Sequence, residues 1–130
     1  MRLYHRTQDD KINGIRRCFF EAKHSRVSLA LERLRDLGDE FPGDPQVLYA
    51  EGLLRTDYLG QGVAAEELFQ RAFQADGTHT SSLVNAVKFA RNEREFRQWA
   101  DIARRAKPDD RILLQFVTNT LNGLDSGVAY

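Results

Sequence analysis

The glycine-rich stretch from Gly60 to Ala65 contains residue types whose spacing could do chemistry. Gly60, Gly62 and Ala65 spell G-x-G-x-x-A, which is close to the fingerprint of a dinucleotide-binding loop. Such a loop needs a strand before it and a helix after it, because backbone N–H groups at the helix start must meet the pyrophosphate. A helical pattern precedes these glycines, so we interpret them as a turn between two helices in which glycine permits a positive φ.

Cys18 is the single cysteine of the chain, and Arg16 and Arg17 precede it. Neighbouring positive charge can lower the pKa of a thiol and make it reactive. Cys18 also shares a helical face with Ile15 and Ala22, however, and this placement is typical of a buried structural thiol. One cysteine cannot form an intramolecular disulfide, which favours a reducing compartment.

The histidines and the paired acids do not form a recognisable catalytic or metal-binding pattern. His5, His24 and His79 are far apart in sequence, and none has a ligand spacing with cysteine or glutamate. The pairs Glu66–Glu67 and Asp109–Asp110 would point about 100° apart on a helix, so neither makes a catalytic dyad. The sequence therefore predicts no catalytic residues, no metal site and no cofactor, and it predicts that the protein is not an enzyme.

Basic and aromatic side chains are interleaved between Lys88 and Arg111, a pattern that could stack on single-stranded nucleic acid. Most of the aromatic residues fall at core spacing, and five acids interrupt the positive charge. We therefore interpret the stretch as solvated helix faces, and nucleic acid is disfavoured as a partner.

The length and composition of the chain predict a single domain with the composition of an ordinary soluble protein. The chain has 130 residues, of which 42% are hydrophobic and 29% are charged. No apolar run approaches the roughly 20 residues that a membrane span requires, and the first residues show no targeting pattern. We expect a cytoplasmic protein with no membrane partner.

The zero net charge conceals an uneven layout along the chain. Residues 1–35 carry a net charge of +5, residues 36–80 carry −7 and residues 81–130 carry +2. An acidic centre between basic ends disfavours nucleic acid as a partner for the whole chain. It would suit a basic peptide held at the middle of the molecule. Solvated faces with a chance imbalance are the alternative interpretation.

Apolar residues recur at helical spacing along the chain, and no segment alternates as a strand would. These stripes predict seven helices. Capping residues or turns mark most of the predicted starts, at Asp9 or Asp10, Ser25, Asp44, Thr80 or Ser81, the turn near Asn92, and Asp109. The clearest hairpin runs from Asp44 to Gly77, with Pro45 at the first helical position. Two helices this short cannot bury their apolar faces alone, so the pattern predicts a stack of hairpins.

The second helices of the first two hairpins repeat the same residue types at a constant offset. The matched positions, 35 residues apart, are Ala30, Leu34, Leu37 and Pro42 with Ala65, Phe69, Ala72 and Gly77. The register into the third hairpin stays open between two offsets, 34 and 31. With Leu48 and Gly52 at a large and a small position of the central unit, the chain resembles the tetratricopeptide repeat (TPR) family, whose unit is a helix–turn–helix of about 34 residues.

The resemblance implies an all-α fold in which antiparallel helix hairpins stack as a right-handed superhelix of about seven helices. The implied hairpins cover residues 9–38, 44–77 and 80–107, and a final helix covers 109–122. Residues 1–8 are then an N-terminal extension and residues 123–130 a flexible tail. In such an array the first helix of each hairpin lines the concave side.

The resemblance also implies a function: a scaffold or adaptor that binds a peptide or helix of another protein in the concave groove. The groove residues that it implies are Gln46, Tyr49, Leu53, Thr56, Ser81, Asn85, Lys88 and Phe89. Two alternatives stay open. One is a regulatory or assembly domain of a larger enzyme or complex, and the other is an RNA-binding helical repeat.

The last predicted helix is apolar over more of its circumference than one buried stripe requires. A terminal repeat normally turns a polar face outward. We therefore hypothesise a homodimer that forms through Leu114, Phe116 and Val117 of this helix.

Overall fold

The computed structural model of the protein describes residues 7–125, and this part of the chain is helical. It contains seven α-helices and no strand. The helices are α1 (Gln8–Lys23), α2 (Val27–Glu40), α3 (Pro45–Leu59), α4 (Gly62–Ala75), α5 (Thr80–Lys88), α6 (Glu93–Ala106) and α7 (Arg111–Asp125). The predicted all-α class with about seven helices is confirmed.

The predicted terminal segments fall partly within this range. Residues 1–6 of the predicted extension and 126–130 of the predicted tail lie outside the described residues. Thr7 caps α1, and Gln8 is its first residue. At the other end α7 continues through Gly123 to Asp125, past the predicted boundary at residue 122. Gly123 is buried, so packing keeps it helical where glycine alone would favour a stop.

Two predicted helix starts follow from local capping chemistry. Asp44 Oδ1 accepts hydrogen bonds from the backbone N–H groups of Gln46 at 2.9 Å and Val47 at 3.2 Å, and a proline occupies the first position of α3. Asn92 accepts one from the N–H of Glu95 at 2.9 Å before α6. These side chains satisfy donors that have no partner inside the helix, which is why they stand at its start.

The caps of α1 and α7 lie at different residues from those predicted. Thr7 caps α1 in place of Asp9 or Asp10, and Asp10 completes a capping box by accepting a hydrogen bond from the N–H of Thr7 at 2.9 Å. Before α7, Asp110 accepts from the N–H of Leu113 at 3.0 Å. A capping side chain bonds an N–H group two or three residues ahead, and this spacing favours Asp110 over Asp109.

The starts of α2 and α5 also differ from the predictions. Ser25 has a φ of +65°, a left-handed conformation within the α1–α2 turn, and α2 begins after it at Val27. At α5, His79 takes the cap position, and its Nδ1 accepts a hydrogen bond from the N–H of Ser82 at 3.3 Å. The predicted caps, Thr80 and Ser81, lie inside the helix.

The helices pack mainly on their neighbours in the chain. Contacts join each helix to the next from α1 to α7, and α1 also contacts α3. The buried apolar residues form one cluster across α1, α2 and α3 and another across α4, α5, α6 and α7. Side chains of α3 pack against the second cluster as well, so α3 connects the two. Serial packing of this kind suits short amphipathic helices, because each buries its apolar stripe on its neighbours.

Helices α3 and α4 approach each other closely at Gly52. A Cβ atom added to Gly52 would lie 2.5 Å from Cε1 of Phe69, and Phe69 is fully buried. The small residue at this position therefore has a steric cause, because no larger side chain fits between the helix and the ring.

Gly52→Ala is expected to lower the free energy of unfolding by about 1–2 kcal/mol, because the clash with the ring outweighs the helix propensity gained. Gly38→Ala, in α2, is the matched control. Its added Cβ would meet no atom within 4 Å, so this change should be neutral or stabilising by up to about 1 kcal/mol. Urea denaturation of the two variants measures the difference, and equal effects would contradict the steric role of Gly52.

Candidate functional site

An apolar hollow of about 320 Å³, which we call the α1–α3 hollow, lies between the first helices of the first two hairpins. Its lining residues are Ile12, Ile15, Arg16 and Phe19 of α1, Gln46, Tyr49, Ala50 and Leu53 of α3, and His79. Three of the predicted groove residues, Gln46, Tyr49 and Leu53, thus lie together on one surface. The sequence does not identify the α1 residues as part of a groove, because their stripe has the spacing of a buried face.

A buried ion pair joins α1 to α3. Lys11 Nζ lies 2.6 Å from Asp44 Oδ2, and only 3% of the Lys11 surface is exposed. The other carboxylate oxygen of Asp44 caps α3, so a single side chain both starts α3 and anchors α1. A buried ammonium group needs such a partner, because an unpaired charge away from water is strongly unfavourable. The pair therefore fixes the two walls of the α1–α3 hollow relative to each other.

Tyr49 is held in this hollow by ring contacts. Its ring centroid lies 5.6 Å from that of Phe69 and 5.0 Å from that of His79. These aromatic contacts leave Tyr49 half-buried, with part of its surface in the hollow. A fixed aromatic side chain offers apolar contact area at a small entropic cost, which is a typical property of a binding residue.

His79 and Ser82 form a serine–histidine pair that the sequence spacing does not reveal. Ser82 Oγ lies 2.7 Å from His79 Nδ1, within the distance over which a base activates a nucleophile. Ser82 is fully buried, however, so a substrate has no access to its hydroxyl group. The bond completes the cap of α5, and the pair is structural.

A second apolar hollow of about 400 Å³, which we call the α5–α7 hollow, lies between α5 and α7. Its lining residues are Val84, Lys88, Asp110, Ile112, Leu113 and Phe116. It contains Lys88 from the predicted groove and Phe116 from the predicted self-association surface. Ile112, which the sequence groups with the apolar stripe of the last helix and not with the predicted self-association residues, is 86% exposed.

The remaining predicted groove residues line neither of these two hollows. Thr56 Oγ1 donates a hydrogen bond to a backbone carbonyl of its own helix at 3.1 Å. Ser81 is exposed and Asn85 is half-buried. Phe89 stacks on Phe69 with ring centroids 5.8 Å apart, so it contributes mainly to packing.

The predicted self-association residues separate in the structure. Val117 is fully buried in the core cluster of α4 to α7, which corrects its assignment as a contact for a second copy. Leu114 is half-buried and does not line the α5–α7 hollow. Phe116 is 40% exposed and lines it. One part of the apolar surface of α7 packs against the core. The other part, with Ile112 and Phe116, faces outward.

The other residues that the sequence suggests as reactive or binding groups have structural roles. Cys18 is fully buried, and burial raises the pKa of its thiol to about 11 against the opposing charge of Arg33, which confirms a buried thiol. Gly60 ends α3 with a φ of +63°, and a helix precedes the G-x-G-x-x-A stretch, which confirms a turn. Within residues 7–125 no group of three or more His, Cys, Asp or Glu side chains is arranged to hold a metal ion.

A buried carboxylate, Glu66, lies where α4 meets the turn before α6. Its Oε1 accepts a hydrogen bond from Gln70 Nε2 at 2.6 Å. Its Oε2 has no hydrogen-bond donor and lies 3.3 Å from Nε of Arg91. Arg91 also pairs with Glu95 at 2.7 Å, so two carboxylates share one guanidinium group.

The two carboxyl groups of this cluster titrate differently. Burial, reinforced by the neighbouring Glu95, raises the pKa of Glu66 to about 7. Hydrogen bonds from Arg91 lower the pKa of Glu95 to about 2, and the neighbouring Glu66 acts in the same direction. Because Arg91 favours the ionised form of the half-buried Glu95, the proton of the pair resides on the fully buried Glu66. The cluster therefore changes its charge near neutral pH.

Every helix within residues 7–125 is too short or too polar to cross a membrane. Comparisons of the chain with protein families, with curated proteins and with solved structures found no match. The function of the protein is therefore inferred from the geometry and chemistry of its own residues.

Proposed function

We propose that this protein is a non-catalytic interaction module that binds a peptide segment of another protein in the α1–α3 hollow. The observation that carries the proposal is an apolar hollow of about 320 Å³ walled by the first helices of two successive hairpins. Serial contacts from α1 to α7 support a TPR-like, right-handed superhelix as the scaffold. In that arrangement the hollow belongs to the concave side of the array.

The proposed ligand is an apolar segment with an acidic residue near one end. The hollow is lined mainly by apolar side chains, and Arg16 contributes an exposed positive charge. The acids of the central segment do not line it: Asp44 pairs with Lys11, and Glu51 pairs with Arg55 at 2.9 Å. A basic peptide, which the net charge of residues 36–80 suggests, would therefore meet no carboxylate in this hollow.

Ion pairs weaken the RNA-binding alternative. Arg91, Arg97 and Arg105 each pair with a carboxylate four residues away in the sequence. Arginine side chains strengthen binding to nucleic acid when they neutralise phosphates and release the counterions held there, and an arginine already paired with a carboxylate contributes less to this release. A protein partner is therefore favoured over nucleic acid.

Selection from a random peptide library, with the full 130-residue chain as bait, is expected to enrich apolar residues at helical or extended spacing beside an acid. Ile12→Gln should weaken the enriched peptides about tenfold, because it removes apolar contact area from the hollow. Ile12 lines the hollow but belongs to neither core cluster, so the variant should keep its fold. Arg16→Glu should weaken the acidic peptides more than their neutral analogues. Fluorescence anisotropy with labelled peptides measures each affinity.

Val63→Gln is the matched control for this experiment. Val63 is 68% exposed on α4 and lines neither hollow, so the variant should bind the peptides as the wild type does. If no sequence class is enriched, or if Ile12→Gln and Val63→Gln bind equally well, the α1–α3 hollow is not a peptide site.

A further inference from the structure

We propose that the α5–α7 hollow is the docking site for a second copy of this chain, in a dimer with two-fold symmetry. The proposal does not depend on the α1–α3 hollow or on the peptide proposed to bind there. It rests on two properties of one patch: an exposed apolar side chain beside an apolar hollow, and a rim with one charge of each sign.

The apolar part of the patch is complementary to itself. Ile112 is 86% exposed at the start of α7, at the edge of a hollow of about 400 Å³. Phe116 lies one turn further along and is held by an edge-to-face contact with Phe96 at 6.2 Å. Two copies related by a two-fold axis would each place Ile112 against the hollow of the other. Association would then remove these side chains from water, which is the main favourable term in most interfaces.

The charged rim indicates what kind of partner fits. Lys88 ends α5 and Asp110 precedes α7, and both line the hollow. Neither forms an ion pair within residues 7–125. In a two-fold interface the same patch meets itself, so any contact between Lys88 of one copy and Asp110 of the other is made twice. A second copy therefore supplies both complementary charges by symmetry, whereas an unrelated peptide would have to carry both in the right order.

Sedimentation equilibrium of the full chain tests the dimer. The wild type should show a reversible monomer–dimer equilibrium, and Ile112→Glu should weaken it about 30-fold or more. Circular dichroism should show no loss of helix, since Ile112 is exposed in the single chain. Val63→Glu is the matched control, because it makes the same kind of change at an exposed residue outside the hollow. Its dimer should be as strong as that of the wild type.

A mixing experiment tests the charged rim. Lys88→Glu and Asp110→Lys should each weaken their own homodimer about tenfold, because like charges then meet twice in the symmetric interface. A mixture of the two variants should restore association, since every charge then faces its opposite across the heterodimer. Asp110→Lys removes the capping carboxylate of α7 as well as reversing the charge. Asp110→Ala, which removes the cap without adding a positive charge, is the control for this effect. An affinity tag on one variant reports the heterodimer.

Three results would overturn the proposal: a strict monomer at every concentration, an Ile112→Glu dimer as tight as the wild type, or a mixture that forms no heterodimer. Peptide binding in the α1–α3 hollow is measured separately on Ile112→Glu. It should equal that of the wild type, so failure of the dimer and failure of the peptide site are distinguishable.

Discussion

Replacing Phe69 by alanine is expected to lower the free energy of unfolding by about 3–5 kcal/mol. Phe69 is fully buried on α4, and its ring lies 5.6 Å from that of Tyr49 and 5.8 Å from that of Phe89. Truncation would remove contacts to α3 and to the end of α5 at once, and the surrounding helices would close the cavity only in part. Urea denaturation followed by circular dichroism measures the loss. It is a large share of the free energy of unfolding of a typical domain, which is roughly 5–15 kcal/mol.

Phe20→Ala is the matched control. Phe20 is 55% exposed on α1, so the same substitution there should change stability by less than about 1 kcal/mol. Comparable losses at Phe69 and Phe20 would mean that Phe69 does not connect α3, α4 and α5 as its contacts indicate.

The close approach of Gly52 to Phe69 makes a sharper test possible. In the Phe69→Ala background the three atoms nearest to the added Cβ of Gly52→Ala, all of them in the Phe69 ring, are absent. The second substitution should then be neutral or stabilising, although it destabilises the wild type. A double-mutant cycle reports this change of sign as a coupling energy between the two positions. If the effects of Gly52→Ala and Phe69→Ala on stability were additive, the ring of Phe69 would not be the reason that position 52 requires glycine.

Helix position and type could be predicted because they depend on local patterns. Asp44 with the following proline defines the start of α3, and the stripe of Ala65, Phe69 and Ala72 defines the buried face of α4. A cap needs only the chemistry of a few adjacent residues, and an amphipathic stripe needs only the helical period. The predictions made from the sequence therefore agree best with the structure within single helices.

The division between core and groove could not be predicted from the same patterns. Ile12, Ile15 and Phe19 have the spacing of a buried face, yet they are half-buried and line the α1–α3 hollow. A period of 3.6 residues shows which side chains share a face and does not show how much of that face a neighbouring helix covers. Ile112 and Val117 differ for the same reason: both are apolar residues of α7, but one is exposed and the other is buried.

Glu66 illustrates a second limit. In the sequence it is one of two adjacent acids on α4, and Glu67 beside it is exposed. Its charged neighbours are Arg91 and Glu95, which follow only after α5 has turned back against α4. Charge patterns along a chain do not reveal such contacts between helices, so neither the burial nor its effect on the pKa could be predicted.

Glu66→Gln is expected to stabilise the protein by about 1–3 kcal/mol at about pH 8 and to have little effect at about pH 5. The folded-state pKa of about 7 lies above the ordinary value of 4.5, so the folded chain retains a proton that the unfolded chain releases between these values. The contribution of Glu66 to stability is therefore full below pH 4.5 and is lost as the pH rises to about 7. Glutamine has nearly the same shape and stays neutral, so the variant avoids this loss.

Glu95 contributes in the opposite direction. Its folded-state pKa of about 2 lies below the ordinary value of 4.5, so its contribution is present above pH 4.5 and is lost as the pH falls toward 2. Between about pH 2 and pH 8, wild-type stability should therefore fall on both sides of a mildly acidic maximum, whereas that of Glu66→Gln should fall only on the acidic side. Urea denaturation at a series of pH values measures both curves.

Glu67→Gln is the control for this experiment, because it makes the same change at the next residue on the exposed side of α4. Its stability should follow the pH curve of the wild type to within about 0.5 kcal/mol. The contrary outcome for Glu66→Gln would be a loss of stability at about pH 8. It would show that the attraction of Arg91 exceeds the cost of burying the ionised carboxylate. With the expected outcome, the cost of burial is the larger effect, and the contact of α4 with the turn before α6 weakens as Glu66 loses its proton.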